Sequence, residues 1–149
     1  MTTPEMMKSR LIEFRSRLYG KHDLSAVDDF VHPEFRSHNG LLKPGLDAYK
    51  AFARSFHEGL PDMRPDMYQI LVEGDRIVAF TNWQGTHSGP FRGMAPTGRN
   101  VSFETADLYR LQDGLLIEHW DIVDRLAASI GLGLVSEMVT NRPVGPDAR

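Results

Sequence analysis

The sequence predicts a single α+β domain in which three N-terminal helices pack on one side of a strongly curved, mixed or antiparallel β-sheet. Residues 4–62 carry apolar side chains at helical spacing, whereas the residues after Asp62 are rich in β-branched and aromatic types. The chain has 149 residues, of which 41% are hydrophobic, which is enough for one core but short for two. We expect the domain to span residues 1–140 and the tail, residues 141–149, to be loosely ordered.

Three helices are expected before the sheet. The first runs from Pro4 to Tyr19, with apolar side chains at helical spacing and charged residues, Arg15 included, between them. The second is a short helix over residues 24–31, which stops because Pro33 forces the residue before it out of helical geometry. The third lies within residues 45–62 and ends at a glycine and a proline.

Four strands are expected after the third helix, because four segments rich in β-branched and aromatic residues are separated by turn signals. Their sequences are MYQILV, IVAFTNW, VSFETADLYRL and LLIEHWDIV. Residues 73–76 form one tight turn, and residues 112–114 form a three-residue loop that ends in a left-handed glycine. Residues 85–99 contain four glycines and two prolines, and they are predicted to form a mobile loop at the rim of the fold.

A polar patch is expected in the middle of the last hairpin. If residues 112–114 close it, Asp107 lies opposite His119 and Thr105 lies opposite Asp121. Side chains alternate along a strand, so these four share one face of the sheet. The apolar positions of the same face are Phe103, Tyr109, Leu111, Leu115, Ile117 and Val123. The opposite face, with Leu108, Trp120 and Ile122, is either solvated or used for dimerisation.

The two aspartates of this patch, Asp107 and Asp121, suggest acid–base chemistry. Apolar walls remove water from a carboxylate, and a second carboxylate nearby opposes double ionisation, so both effects raise the pKa of an aspartate. A raised pKa makes an aspartate a usable base near neutral pH. An ordinary cross-strand polar cluster is the alternative, and the spacing alone leaves both interpretations open.

The composition argues against several classes of function. The net charge is −3, the pI is about 6.0 and no basic cluster occurs, so no nucleic-acid partner is expected. No apolar run reaches the roughly 18 residues of a membrane span, and the N-terminus does not resemble a signal peptide, so we expect a cytoplasmic protein. The chain has no cysteine, and its six histidines lack the usual ligand spacing. No metal or other cofactor is therefore expected, although His119 and Asp121 are able to supply two ligands.

Three motifs in order resemble the SnoaL-like polyketide cyclase family, of the nuclear transport factor two-like superfamily. The motifs are G-x-H-x-G, G-x-x-P-T-G-R and D-G-x-x-x-E-H-W-D, and they lie within GTHSGPFRGMAPTGRNVSFETADLYRLQDGLLIEHWDIVD. The resemblance extends more weakly over most of residues 5–135. It implies a cone-shaped α+β barrel around a deep apolar pocket, commonly as a homodimer through the outer face of the sheet.

The resemblance also implies a catalytic residue. Asp121 matches the family's aspartate, which removes a proton from a carbon acid and starts an intramolecular aldol ring closure without a cofactor. His119 would orient Asp121 or donate to the oxyanion, and His87, on the loop, would reach over the entrance. The substrate would be an apolar or aromatic small molecule. The remaining candidates for substrate binding are His38, Asn39, Trp83, Phe103 and Thr105.

This chain also departs from the pattern of the antibiotic cyclases. Asp107 and Thr105 stand where those enzymes have a histidine and a glutamine, and Ser37 stands where they have an asparagine. A second carboxylate suits a proton shuttle or an epoxide-opening water better than enolate binding. Three functions therefore remain open: a cyclase or isomerase, an epoxide hydrolase that uses Asp107 with Asp121, and a non-catalytic binding module for apolar molecules.

Overall fold

A computed structural model describes residues 2–136, which form four α-helices and a five-stranded mixed sheet. The helices are α1 (Pro4–Arg15), α2 (Ala26–Phe30), α3 (Leu46–Gly59) and α4 (Arg125–Gly131), and a π-helical turn, Ser16–Gly20, extends α1. The strands are β1 (Val31–Ser37), β2 (Arg64–Glu73), β3 (Arg76–Thr86), β4 (Asn100–Gln112) and β5 (Leu115–Val123). The expected α+β class is confirmed, while the prediction of a loosely ordered tail concerns residues 141–149, which lie outside the described range. No helix among the described residues is long and apolar enough to cross a bilayer.

The sheet has the order β1-β5-β4-β3-β2, and only the β1–β5 pair is parallel. The four strands expected after the helices are all present. The second helix stops before Pro33 as expected, but the strand β1 that follows it from Val31 was not predicted. A proline fits here because β1 is an edge strand whose pairing is irregular between Val31 and Arg36, so the missing N–H breaks no regular ladder. Helix α4 was also not expected.

The β4–β5 hairpin has a different register from the expected one. Gln112 pairs with Leu115, so the loop has two residues, Asp113 and Gly114, with φ of 52° and 77°. Positive φ at both positions is the type I′ turn that matches the twist of a hairpin, which is why the predicted three-residue loop was wrong. The turn at Gly74 and Asp75 was placed correctly, because Glu73 pairs with Arg76.

A bulge near Ile117 shifts the rest of this register again. Asp107 therefore lies opposite Asp121 and not opposite His119, and Thr105 lies opposite Val123. The total displacement is two residues, so every side chain beyond the bulge keeps its predicted face.

The core lies between α1, α3 and the inner face of the sheet, the face that carries Asp107 and His119. Met7, Leu11 and Phe14 of α1 are buried there, as the helical spacing predicts. Arg15 is buried as well, with only 2% of its surface exposed, which corrects its assignment to the polar side of the helix. It lies four residues after Leu11 and therefore on the same side of α1, facing the sheet.

Candidate active site

A cavity opens between the inner face of the sheet and the helices. The space within it is about 670 Å³, counted out to the solvent at its open mouth. Most of its wall is aromatic or aliphatic, and the side chains concerned are Tyr19, Leu41, Leu42, Tyr49, Phe52, Phe56, Met63, Trp83, Phe103, Tyr109 and Val123. The cavity thus offers a largely apolar environment with a few polar groups, the usual composition of a small-molecule site.

The polar part of the wall contains Asp107, His119 and Asp121. His119 Nε2 lies 2.8 Å from Asp107 Oδ1 and 4.0 Å from Asp121 Oδ2. The hairpin brings the three together because their side chains point to the same face of β4 and β5. The histidine therefore stands between two carboxylates at the edge of the cavity.

Asp107 is held as an anion at the closed end of the cavity. Burial by itself raises the pKa of this carboxyl, but the ion pair with Arg15 at 2.8 Å and hydrogen bonds from His119 and Thr105 outweigh burial and lower the pKa to about 2. The prediction that apolar surroundings raise the pKa of this aspartate was wrong. The prediction failed because it did not include Arg15, which lowers the pKa of Asp107 and which no strand pattern places beside it.

Arg15 connects the Asp107 carboxylate to two other polar side chains at the closed end of the cavity. Its guanidinium donates to Thr81 Oγ1 at 2.6 Å and to the Tyr109 hydroxyl at 3.3 Å, besides Asp107. Trp83 Nε1 in turn donates to Thr105 Oγ1 at 2.9 Å. The polar groups at this end are therefore engaged with one another, and they form a fixed scaffold beside the cavity.

The ring of His119 is held from both sides. An ionised carboxylate only accepts hydrogen bonds, so Nε2 carries the hydrogen that bonds Asp107. On the other side, Nδ1 lies 2.7 Å from Ser37 Oγ, which also accepts a hydrogen bond from the backbone N–H of Asn39. These contacts fix the tautomer and the orientation of the imidazole next to Asp121.

Asp121 lies closer to the open part of the cavity than Asp107. Asn39 Nδ2 donates to Asp121 Oδ2 at 2.8 Å, and the backbone N–H of Leu41 donates to Asn39 Oδ1, which fixes the amide. The side chain of Asp121 is 12% exposed and forms part of the cavity wall. It combines a fixed position with access to a bound molecule.

Two of the candidate residues lie elsewhere. His38 is on the outer side of the sheet, where Nε2 bonds Glu118 Oε2 at 2.9 Å and the ring stacks on Trp120. It does not line the cavity, because the pairing of β1 with β5 places Ser37 beside His119 on the inner face, while the His38 side chain contacts Glu118 and Trp120 on the outer face. His87 is wholly buried in the loop, with Nδ1 bonded to Thr97 Oγ1 at 2.9 Å, so it does not reach over the entrance.

The other candidates lie in the wall of the cavity, namely Asn39, Trp83, Phe103 and Thr105. The sequence reasoning missed Arg15, whose spacing from Leu11 is the one signal that could have placed it inside. It also missed Arg92 and Arg125, which line the cavity from the loop and from α4. Nothing in the strand pattern indicates that these two elements approach the same opening.

The set Asp107, His119 and Asp121 also has the chemistry of a metal-binding site. One possible ligand atom from each lies within 4.8 Å of the others. However, Asp107 already accepts from Arg15, Thr105 and His119, so a cation would have to displace these donors and stand near a guanidinium. The arrangement fits a hydrogen-bonded acid–base group better than a cation site.

The sequence profile of the SnoaL-like polyketide cyclase family matches residues 9–129 of the chain. The chain belongs to this family. Nogalonic acid methyl ester cyclase of Streptomyces nogalater is 31% identical over 106 residues, which cover 66% of this chain and 76% of that enzyme. Aklanonic acid methyl ester cyclase AcmA of Streptomyces galilaeus is 31% identical over 105 residues, covering 66% and 71%. Both relatives are enzymes, so the expectation of an enzyme is confirmed along with the family.

Solved structures agree with the predicted fold. TsrD from Streptomyces laurentii superposes with a TM-score of 0.81 at 28% identity, covering 89% of this chain and 99% of TsrD. AclR from Streptomyces galilaeus has a TM-score of 0.79 at 23% identity, covering 91% and 85%, and at that identity it shows the fold alone. The five-stranded sheet with helices on its inner face is thus the SnoaL-like, cone-shaped α+β arrangement.

Proposed function

We propose that the protein catalyses an intramolecular aldol cyclisation of a polyketide-like carbonyl substrate, with Asp121 as general base and then general acid. The observation that carries this proposal is the position of Asp121, which is held by Asn39 at 2.8 Å and exposed to an apolar cavity. A general base must lie within hydrogen-bond reach of the proton that it removes, and this carboxylate is accessible to a bound molecule.

The reaction needs no external reagent. Asp121 takes the proton of an acidic C–H, the resulting enolate carbon attacks a carbonyl carbon of the same molecule, and one C–C bond forms. The new alkoxide then takes the proton back from Asp121, so the product is an isomer of the substrate. The apolar walls favour a folded chain and exclude water, and holding both reacting carbons in place supplies much of the rate.

His119 is suited to the developing negative charge. Its Nε2–H bonds Asp107 at 2.8 Å, and Nε2 lies 4.0 Å from Asp121 Oδ2, so an enolate oxygen near Asp121 is able to share this donor. The hydrogen bond to Asp107 keeps the hydrogen on Nε2 and fixes the orientation of the ring. In this proposal Asp107 is a positioning residue and does not exchange a proton.

The epoxide hydrolase alternative is less well supported. That chemistry would need Asp107 to give or take a proton together with Asp121, or to activate water between them. The ion pair with Arg15 and hydrogen bonds from His119 and Thr105 hold the pKa of Asp107 at about 2, so near neutral pH this carboxyl has no proton to give and is a weak base for activating water. The cyclase proposal uses Asp107 in the ionised state that its surroundings favour.

The test compares two asparagine variants of the same hairpin. The methyl esters of nogalonic and aklanonic acids are the first substrates to use, because the relatives' names point to them, and the two free acids are used beside them. Mass spectrometry after chromatography follows conversion to an isomer of unchanged mass. Asp121→Asn should lose at least about a hundredfold in turnover and still bind substrate, whereas Asp113→Asn, the same change in the exposed turn, should behave as wild type.

Two outcomes would count against this function. Full turnover by Asp121→Asn would show that another group is the base. Binding of the esters and the free acids without turnover by the wild type, checked with further aromatic ketones, would favour the binding module.

We also propose that two copies associate through the outer faces of their sheets. The outward positions of β2–β5 form an apolar row that consists of Leu71, Val78, Phe80, Leu108, Trp120 and Ile122. Ile122 is 78% exposed and Leu71 is also exposed, which favours covering this face by a second copy. The cytoplasmic location stays a prediction of the sequence.

A further inference from the structure

Two arginines line the cavity where it opens to solvent. Arg92 belongs to the loop between β3 and β4, and Arg125 is the first residue of α4. Both side chains are exposed, whereas Arg15 and Asp107 at the closed end are buried. The cavity therefore carries a fixed ion pair at its closed end and two positive charges at its mouth.

Arg92 is held at the mouth by an unusual backbone. Phe91 and Met94 exchange two backbone hydrogen bonds, so Arg92 and Gly93 form a two-residue turn with φ of 47° and 83°. Asparagine, aspartate or glycine is the usual residue where such a turn needs positive φ, and an arginine there is disfavoured. The backbone preference alone thus gives no reason for an arginine at this position.

The guanidinium of Arg92 rests on aromatic rings. Its central carbon lies 4.9 Å from the ring centre of Phe91, 5.2 Å from that of Phe56 and 5.5 Å from that of Phe52. Contacts with ring faces hold a cation in place without neutralising it, and the N–H groups at its edge stay available to an acceptor. Arg92 is therefore a positioned donor at the rim of an apolar cavity.

Arg125 also occupies a position that its charge does not favour. It starts a helix, at the end where the backbone dipole repels a cation. Within residues 2–136, no carboxylate lies within 4.0 Å of either Arg92 or Arg125. The Arg92 guanidinium is partly shielded from water by the aromatic rings, and this shielding, followed by the charge of Arg125, lowers the pKa of Arg92.

We infer that Arg92 and Arg125 bind a carboxylate of the substrate at the mouth of the cavity, so that the preferred substrate is a free acid and not its ester. Planar guanidinium groups match a carboxylate in geometry and charge, and two of them are able to engage both oxygens. This inference rests on the proposed function only in taking the cavity as the substrate site.

The inference also gives the substrate an orientation. Asp121 and Arg125 are four residues apart, so their Cα atoms are separated by at most about 14 Å. The negative Asp121 repels an acidic group, and the positive pair at the mouth attracts it. An elongated aromatic acid should therefore enter with its carboxylate outward and its reacting carbonyls near Asp121.

Binding of a matched acid and ester tests the inference without turnover. The probes are 2-naphthoate and methyl 2-naphthoate, and quenching of Trp83 fluorescence in the cavity wall reports binding. The acid should bind wild type at least about tenfold more tightly than the ester, and added salt should weaken only the acid. Arg92→Gln and Arg125→Gln should each weaken acid binding about tenfold and leave ester binding unchanged, since each removes one charged donor.

A matched control and a conservative variant sharpen the result. Arg64→Gln removes the same charge from an exposed arginine that does not line the cavity, and it should leave acid binding unchanged. Arg92→Lys should restore part of the affinity for the acid. Circular dichroism of each variant checks the fold, and Arg125→Gln is informative even if Arg92→Gln disturbs the loop.

The outcomes separate this inference from the proposed cyclisation. Equal binding of acid and ester by wild type, or an equal loss in Arg64→Gln and Arg125→Gln, would overturn it even if Asp121→Asn abolishes turnover. A clear preference for the acid that Arg125→Gln removes would support it even if no cyclisation is found.

Discussion

The two faces of the β4–β5 hairpin each carry a carboxylate beside arginines, yet the surroundings differ. On the inner face, Asp107 pairs with Arg15, whose side chain is 2% exposed. On the outer face, Glu118 pairs with Arg36 and Arg110, which are 67% and 28% exposed. The pKa of Glu118 is lowered, first by the hydrogen bond from His38, so both carboxylates are stabilised as anions. What differs is the access of their cationic partners to water.

This difference decides what each ion pair does. An arginine that reaches water is solvated again when its partner is removed, so an exposed ion pair contributes little to stability. An arginine in the core cannot be solvated in this way, so removing one residue of a buried ion pair leaves the other as a buried charge without a counter-ion. The inner ion pair, Arg15 with Asp107, therefore acts as a rigid support for His119. The outer ion pairs of Glu118 with Arg36 and Arg110 are able to rearrange at little cost in stability.

Replacement of Arg15 should have the largest effect on folding. Arg15→Met keeps the volume but leaves Asp107 buried without its cation, and we expect a loss of about 3–5 kcal/mol in the free energy of unfolding. Urea denaturation measures this change. The matched outer-face variant, Arg110→Met, should lose less than about 1 kcal/mol.

A double variant distinguishes charge from packing. Arg15→Met combined with Asp107→Leu removes both charges, and it should recover a large part of the lost stability. Similar losses in Arg15→Met and Arg110→Met would contradict the contrast between the two faces.

Acid should weaken the inner pair. Asp107 has a pKa of about 2 in the folded protein against an ordinary 3.8, so its stabilisation is present above pH 4 and is lost as the pH falls towards 2. A shift of this size corresponds to about 2 kcal/mol. Unfolding free energies measured between pH 6 and pH 2 should thus fall more steeply for wild type than for Asp107→Asn. Parallel curves for the two proteins would mean that Asp107 does not titrate as described.

The outer face should give the smallest effect on folding and a clear effect on assembly. Ile122→Glu changes an exposed side chain, so we expect a change below about 0.5 kcal/mol in the stability of the monomer. If two copies associate through this face, light scattering should show a dimer for wild type and a monomer for this variant. Ile12→Glu, the same change at an exposed position of α1, should remain a dimer. If the wild type is a monomer, the dimer proposal is wrong and the outer face of the sheet is exposed to water.

Some features of the active site were predictable from local patterns. The spacing of Met7, Leu11 and Phe14 predicted the buried side of α1, and the alternation along β4 and β5 predicted that Asp107, His119 and Asp121 share a face. Such patterns depend on the repeat of a helix or a strand, which neighbouring residues establish by themselves. The prediction that these residues share a face was correct although the hairpin loop was predicted wrongly, because the register shift was an even number of residues.

Long-range packing decided the rest. Arg15 is 92 residues from Asp107 in the chain, so no local pattern indicates that it enters the core and lowers the pKa of that carboxyl. The parallel pairing of β1 with β5 likewise turned Asn39 inward and His38 outward. Periodicity in a sequence reports which side of an element is apolar, whereas the charge and the partners of a buried group depend on elements that meet only after the chain has folded.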